Sequence, residues 1–276
     1  MSDIGFLHIY LGIRLRDLRE RAGYSLAEVE RRAKYIGSRR TIGRLENAQI
    51  YEVYMPTVDH LAQFYRADDG LREELKRMAL SCTDSSVDVW MEPIGLPTRF
   101  GLLTELERKA TRIRVYETEF VTGLLQTRET AAAILDTNVR LSEEDKLRYG
   151  RARQNRKEAV LSTGEPASVE LVLAEGVLQR AIGGEETRRA QVRYLKELDE
   201  RPNVSIRYIP HAAGAAPSSG HSFMLLDLPA NYAGPVLYSE SAVASTYTGQ
   251  TAAVEARTEA HMEMQAMALP IGEFQV

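Results

Sequence analysis

Leu11, Leu15 and Leu18 recur at helical spacing, with Arg14, Arg16, Arg19, Glu20 and Arg21 set between them. That pattern predicts a helix, which Gly23 ends. Ser25 and Glu28 then form a capping box ahead of Leu26, Val29 and Ala33, opening a second helix. A turn around Gly37 comes next, and Ser38 caps a third helix through Arg39 to Glu46, whose Ile42 and Leu45 point inward onto Leu18, Leu26 and Val29. Pro56 and Thr57 begin a fourth, with Val58, Leu61 and Phe64 on one face, and a fifth runs from about Leu71 to Leu80. Five short helices within some seventy residues predict a compact all-α domain.

Past Cys82 the pattern breaks. Residues 83–98 are rich in Ser, Asp, Pro and Gly around Trp90 and read as a linker, with Trp90 anchoring it to the second domain. Beyond it, helical and strand patterns alternate. Helices are expected over Leu102–Ala110, Arg128–Leu135, Glu143–Leu161, Glu175–Ile182, Glu185–Glu200 and Ala252–Ala268. Strands are expected over Ile113–Thr118, Val169–Ala174, Val204–Ile209, Phe223–Leu228 and Val236–Tyr238. The expected fold is therefore an all-α five-helix N-terminal domain (1–82), a linker (83–98) and a larger α+β, mixed α/β domain (99–276).

Composition adds little to the fold but narrows the function. The 276 residues are 44% hydrophobic, 27% charged and 7% aromatic, an ordinary globular mixture. No run approaches the length of a membrane span, and the first residues lack the basic and apolar regions of a secretory signal. Cys82 is the single cysteine, which excludes an intrachain disulfide and makes a reducing cytoplasm the natural compartment. The net charge of −4 hides an asymmetry: residues 1–50 hold 10 Lys+Arg against 6 Asp+Glu, leaving 25 against 33 for the rest. A basic head on an acidic body suits a chain whose head alone meets a polyanion.

The second and third helices have helix-turn-helix spacing, in which the third helix enters the major groove. Arg39, Arg40 and Thr41 lie in its first turn and Arg44 one turn beyond Arg40. Arginine is the side chain best shaped for bidentate contact with guanine, and the helix N-termini at Ser25 and Ser38 offer backbone N–H groups to phosphate. Ser25, Ser38, Arg39, Arg40, Thr41 and Arg44 are thus the candidate DNA contacts. The run Leu15-Arg16-Asp17-Leu18-Arg19-Glu20-Arg21-Ala22-Gly23-Tyr24-Ser25-Leu26-Ala27-Glu28-Val29, with Thr41-Ile42-Gly43-Arg44-Leu45-Glu46, resembles the Xre-type helix-turn-helix of phage-repressor-like bacterial regulators. Two departures are visible: Glu30 and Lys34 stand where that family has a small residue and a Gly, and the turn is about two residues longer.

In the second part, Ile113 to Glu117 with Gly123-Leu124-Leu125-Gln126-Thr127, Arg153-Gln154-Asn155-Arg156, Gln191 with Leu195, and Arg201-Pro202-Asn203-Val204 with Ile209-Pro210 stand out. Together they resemble the uncharacterised domain that succeeds an Xre-type helix-turn-helix in many actinobacterial regulators. The resemblance implies a transcriptional regulator, often associated with a small partner protein; it supplies no ligand and no catalytic residue. His211, His221, His261, Glu170, Glu175 and Glu240 are titratable but match no catalytic spacing. Gln154 and Arg156 read as a solvated helix face in preference to a pocket lining. Met262, Met264 and Met267 read as core filling before a dimer seam.

These readings converge on a cytoplasmic, sequence-specific regulator that binds double-stranded DNA as a homodimer, with no enzymatic activity, cofactor or metal expected. Its second domain would sense a small-molecule effector, dimerise or receive a small partner protein. An alternative makes the chain the interaction module of an antitoxin-like pair, and a third a DNA-tethered enzyme.

Overall fold

The computed structural model describes residues 6–50, 52–82, 89–93, 99–139, 141–162, 165–217, 220–229, 234–241 and 244–275. Its contacts divide the chain into two units. The first comprises Met1–Pro93, Leu228–Leu237 and Ala244–Val254, and the second Ile94–Asp227, Tyr238–Val243 and Glu255–Val276.

The first unit is built on α1 (Phe6–Arg21), α2 (Leu26–Arg32), α3 (Arg39–Glu46), α4 (Met55–Phe64) and α5 (Asp69–Cys82). Ser25 and Glu28 form the expected capping box, and Ser38 Oγ accepts from the Thr41 N–H to start α3. Gly23, at φ +75°, takes the left-handed conformation that closes α1. Val29, Ile42, Leu45, Val58, Leu61 and Leu75 form the core. Leu26 packs where a side chain on Gly43 would begin, which joins α2 to α3.

α1 begins five residues earlier than the sequence pattern indicates. Its first turns, from Phe6 to Ile13, are buried on every side. Gly12 permits the closest approach: a Cβ there would lie 2.6 Å from the Glu46 carbonyl oxygen, so α1 and the end of α3 meet backbone to backbone. Within the stretch expected to be a linker, Val89–Pro93 is a strand (β1), and the rest of that stretch lies outside the described residues. β1 pairs antiparallel with Ala244–Thr248 (β7 in chain order), setting Trp90 opposite Tyr247. Tyr247 is fully buried and stacks on Phe6, ring centroids 5.1 Å apart.

The second unit is α+β. Its chain order is α6 (Arg99–Lys109), β2 (Arg112–Glu117), α7 (Arg128–Asp136), α8 (Glu143–Leu161), β3 (Ser168–Ala174), α9 (Glu175–Gln179), α10 (Glu185–Asp199), β4 (Val204–Ile209) and β5 (Phe223–Asp227). β6 (Val236–Glu240) and α11 (Thr251–Met267), whose first residues count with the first unit, come next, then the two-residue β8 (Leu269–Pro270). β2, β3 and β4 pair in parallel, flanked by antiparallel β5 and β8. Parallel pairing requires crossovers, which α7–α8 and α9–α10 supply. β2 is buried on both faces, from Ile113 through Tyr116, as a strand covered on two sides must be. On α11, Met264 is buried, Met262 is exposed and Met267 is intermediate, so the three methionines form no common surface. Among the described residues no helix is long and apolar enough to cross a membrane.

Candidate functional site

In the first unit, the recognition-helix candidate α3 is held at both ends. At its C-terminus, Glu46 is only 2% exposed and receives two hydrogen bonds from Arg19, Nε to Oε1 at 2.8 Å and Nη2 to Oε2 at 2.9 Å. Arg16 lies 3.8 Å from the same carboxylate and donates to Asn47 Oδ1. Arg16 and Arg19 are therefore buried, with the Glu46 carboxylate against both. Burial also pushes the Tyr65 hydroxyl well above its ordinary range, with Glu46 adding to the effect.

The N-terminus of α3 carries Ser38 and an unexpected second group. Glu30 Oε1 accepts from the Arg39 N–H at 3.2 Å. The residue that departs from the family pattern thus reaches across the turn and places a carboxylate at the positive end of α3. A similar arrangement occupies α2, where Glu28 Oε2 accepts from both the Ser25 N–H and the Ser25 hydroxyl, each at 2.8 Å. Those bonds hold the Glu28 carboxyl below its usual range. Both helix starts expected to meet phosphate already hold a carboxylate.

Arg39, Arg40, Thr41 and Arg44 are exposed along α3. Among the described residues the Arg39 and Arg40 guanidinium groups have no partner, whereas Arg44 Nη2 donates to the Gln49 carbonyl at 2.9 Å. Arg31, Arg32 and Lys34, at the end of α2 and in the turn, are also exposed and extend the basic surface. Their late position on α2 and in the long turn was the available signal.

In the second unit a cavity of about 900 Å³ opens between β2, the 119–126 loop, α7, α8 and the start of β5. Three of the phrases that stood out in the sequence meet there, through Glu117, Gly123 with Gln126, and Arg153 with Arg156, whereas Arg201 to Val204 and Ile209-Pro210 do not line it. Gln191 on α10 pins the Gly-Leu-Leu-Gln-Thr loop, accepting from the Thr127 N–H at 2.8 Å and donating to the Leu125 carbonyl at 3.0 Å. Arg153 Nη1 donates to Gln126 Oε1 at 3.0 Å. A side chain on Gly123 would lie 3.8 Å from Arg156 Nη1 and 3.9 Å from Arg153 Nε, so the loop backbone rests on both arginines.

Arg156 corrects the solvated-face reading. It is 6% exposed and pairs through two nitrogens with Glu107, which is wholly buried. Burial raises the Glu107 carboxyl and Arg156 opposes that rise. Glu117 lines the same cavity, and burial pushes its carboxyl up to about 7 against the pull of Ser222 and Arg156.

The six titratable candidates do not gather. His211 and His221 are exposed, and Glu175 accepts from the His211 backbone N–H, not its ring. His261 is fully buried near Glu170 and Arg114, and burial lowers it to about 4. Glu240 lies in the cavity wall and accepts from the Tyr238 hydroxyl. Among the described residues no cluster of His, Cys, Asp and Glu could hold a metal ion.

No curated protein matches the chain. Among solved structures, TrmBL2, an archaeal chromatin protein described as showing a novel mode of DNA binding, is 11% identical over 78% of this chain and 70% of that one. Its TM-score of 0.30 is too low to support an argument. A helix-turn-helix domain model matches residues 10–75, covering α2, α3 and their neighbours. The model described as "Domain of unknown function (DUF5753)" matches residues 100–273, well over half the chain, and the protein therefore belongs to the DUF5753 family, with a helix-turn-helix domain ahead of it.

Proposed function

We propose that the protein is a sequence-specific DNA-binding transcriptional regulator whose helix-turn-helix is of the Xre type. The observation that carries this reading is the pair of partnerless guanidinium groups, Arg39 and Arg40, in the first turn of a helix fixed at both ends. A fixed helix presenting free arginines is what base-edge recognition requires. Arg39 and Arg40 read bases. Arg44, which also holds the Gln49 carbonyl, and Thr41 contact the backbone. Ser25 and Ser38 act mainly by shaping the helix starts, since Glu28 and Glu30 already occupy the positions a phosphate would take.

A single head reads only a few base pairs, so a homodimer on a two-fold operator is the natural assembly. Residues 1–82 form the DNA-binding head and 99–276 the effector domain, its cavity receiving a small molecule or its surface a small partner protein. Gel-shift titrations at several salt concentrations test the DNA reading. Arg40→Ala should weaken the cognate site by about 1–3 kcal/mol and relax specificity at one position. Arg44→Ala should weaken all sequences alike and reduce the salt dependence by about one phosphate. Unchanged binding in Arg39→Ala, Arg40→Ala and Arg44→Ala would refute the assignment of α3.

A further inference from the structure

The cavity of the second unit is of ligand size. About 900 Å³ falls within the range of small-molecule sites, and packing defects in protein cores are far smaller. Leu103, Ile134, Leu141 and Met224 give it apolar wall, and the rings of Phe120, Tyr149 and Phe223 add flat surface. An arginine already stands over each of those rings: Arg180 over Phe120, Arg148 over Tyr149 and Arg257 over Phe223, at 5.9, 5.4 and 5.5 Å. The rings are therefore suited to clasp an apolar body, and recognition of charge falls to the ionisable groups.

Those groups are unequal. Arg156 is held by Glu107, and Arg153 donates to Gln126, so both guanidiniums already serve the loop that rests on them. Glu119 is paired with Arg180, and Glu240 receives the Tyr238 hydroxyl. Glu117 differs. It has the Ser222 hydroxyl, a neutral donor, and Arg156 acts on it only through its field. Among the residues that line the cavity, Glu117, Glu119 and Glu240 outnumber Arg153 and Arg156 by one when Glu117 is ionised. An anion entering here would meet that excess. A cation would cancel it.

We propose that the cavity binds a small organic cation, an ammonium group on an apolar body, with Glu117 as its counter-ion. This rests on the reading of the second unit as an effector domain. Ser222, ahead of β5, and Arg156 from α8 act on Glu117; the other ionisable groups lining the cavity are Arg153 and Tyr149 from α8, Glu119 beyond β2, and Tyr238 and Glu240 from β6. Burial holds Glu117 near neutrality, so an arriving ammonium fixes it as the carboxylate and a proton leaves for solvent.

Calorimetric titration of the full chain with 2-phenylethylammonium, 2-phenylethanol and 3-phenylpropionate tests this. The ammonium should bind most tightly, and its affinity should fall about tenfold from pH 8 to pH 6 as Glu117 takes up its proton. Glu117→Gln, with an unchanged circular dichroism spectrum, should lose at least that factor and the pH dependence. The wild-type pH profile stands as an independent readout should the variant not fold. Tighter binding of the alcohol or the carboxylate, or of the ammonium with no pH dependence, would overturn the ligand class while leaving the cavity a binding site. No binding of any of the three at millimolar concentration would overturn both.

Discussion

Arg19 touches two acids, and the structure makes them unequal. Glu46 is 2% exposed at its side chain and accepts two charge-assisted bonds at 2.8 and 2.9 Å, whereas Glu20 is 58% exposed and 3.5 Å away. Glu46→Gln keeps the shape and one acceptor oxygen but removes the buried anion that Arg19 shares with Arg16, at 3.8 Å, and leaves Arg19 the exposed Glu20 at 3.5 Å. Breaking a buried pair from one side costs about 3–5 kcal/mol, and the retained acceptor places Glu46→Gln near the lower end. Glu20→Gln removes an exposed pair worth about 0.5 kcal/mol or less. A loss of about 3 kcal/mol is a large share of ordinary stability and should lower the melting temperature of the head by roughly 12–24 °C. Because Glu46 closes α3, the same variant should also weaken DNA binding without touching a DNA-facing side chain. Urea and thermal denaturation followed by circular dichroism, alongside gel shifts, would measure both. If Glu46→Gln lies within about 1 kcal/mol of the wild type, or Glu20→Gln costs as much, the account of how α3 is held is wrong.

Gly12→Ala gains about 1 kcal/mol of helix propensity but places a methyl 2.6 Å from a backbone oxygen that cannot rotate away. It should be destabilising by about 1–2 kcal/mol net in a denaturant titration, and a stabilised variant would contradict the close crossing of α1 and α3. Gln191→Leu leaves the Thr127 N–H and the Leu125 carbonyl without partners, a loss of about 1–3 kcal/mol per buried group; it should loosen the loop in hydrogen exchange at residues 121–127. His261 is lowered to about 4 from an ordinary value of 6.5, so the folded form favours the neutral ring. Its contribution to stability is intact above about pH 6.5 and is lost as pH falls toward 4. His261→Phe should flatten that acid limb in denaturation midpoints measured between pH 4 and pH 7, and an unchanged limb would assign it to other groups.

Local signals carried much of the fold. Ser25, Glu28, Gly23 and Ser38 fixed where helices start and stop, because caps and left-handed glycines are chemical events confined to a few residues. The start of α1 was illegible for the opposite reason: from Phe6 to Ile13 no polar stripe marks a solvent face, since the helix is buried all round, His8 included. β1 and β7 were missed because each is short, and neither Val-Trp-Met-Glu-Pro nor Ala-Ser-Thr-Tyr-Thr alternates; what makes them strands is a partner some 150 residues away. The cavity wall has the same origin. Arg156 finds Glu107 across 49 residues, and Gln191 finds Leu125 across 66.

One signal was nonetheless present twice. On α6, Glu107 stands in register with Leu103, Leu106 and Ala110, the spacing of a core stripe, and on α8 Arg153 and Arg156 share a stripe with Val160. In the head, Glu46 succeeds Ile42 and Leu45 at the same spacing, while Arg19 continues the line of Leu11 and Leu15. Reading Arg156 as part of a solvated face missed the pairing in the second unit. A buried charge is tolerable only when an opposite charge meets it. A carboxylate in one apolar stripe and a guanidinium in another are therefore expected to pair, and each pairing fixes how two helices sit. In this chain one such pair sets the end of α3, the proposed recognition helix, and the other supports the wall of the cavity proposed to receive a ligand.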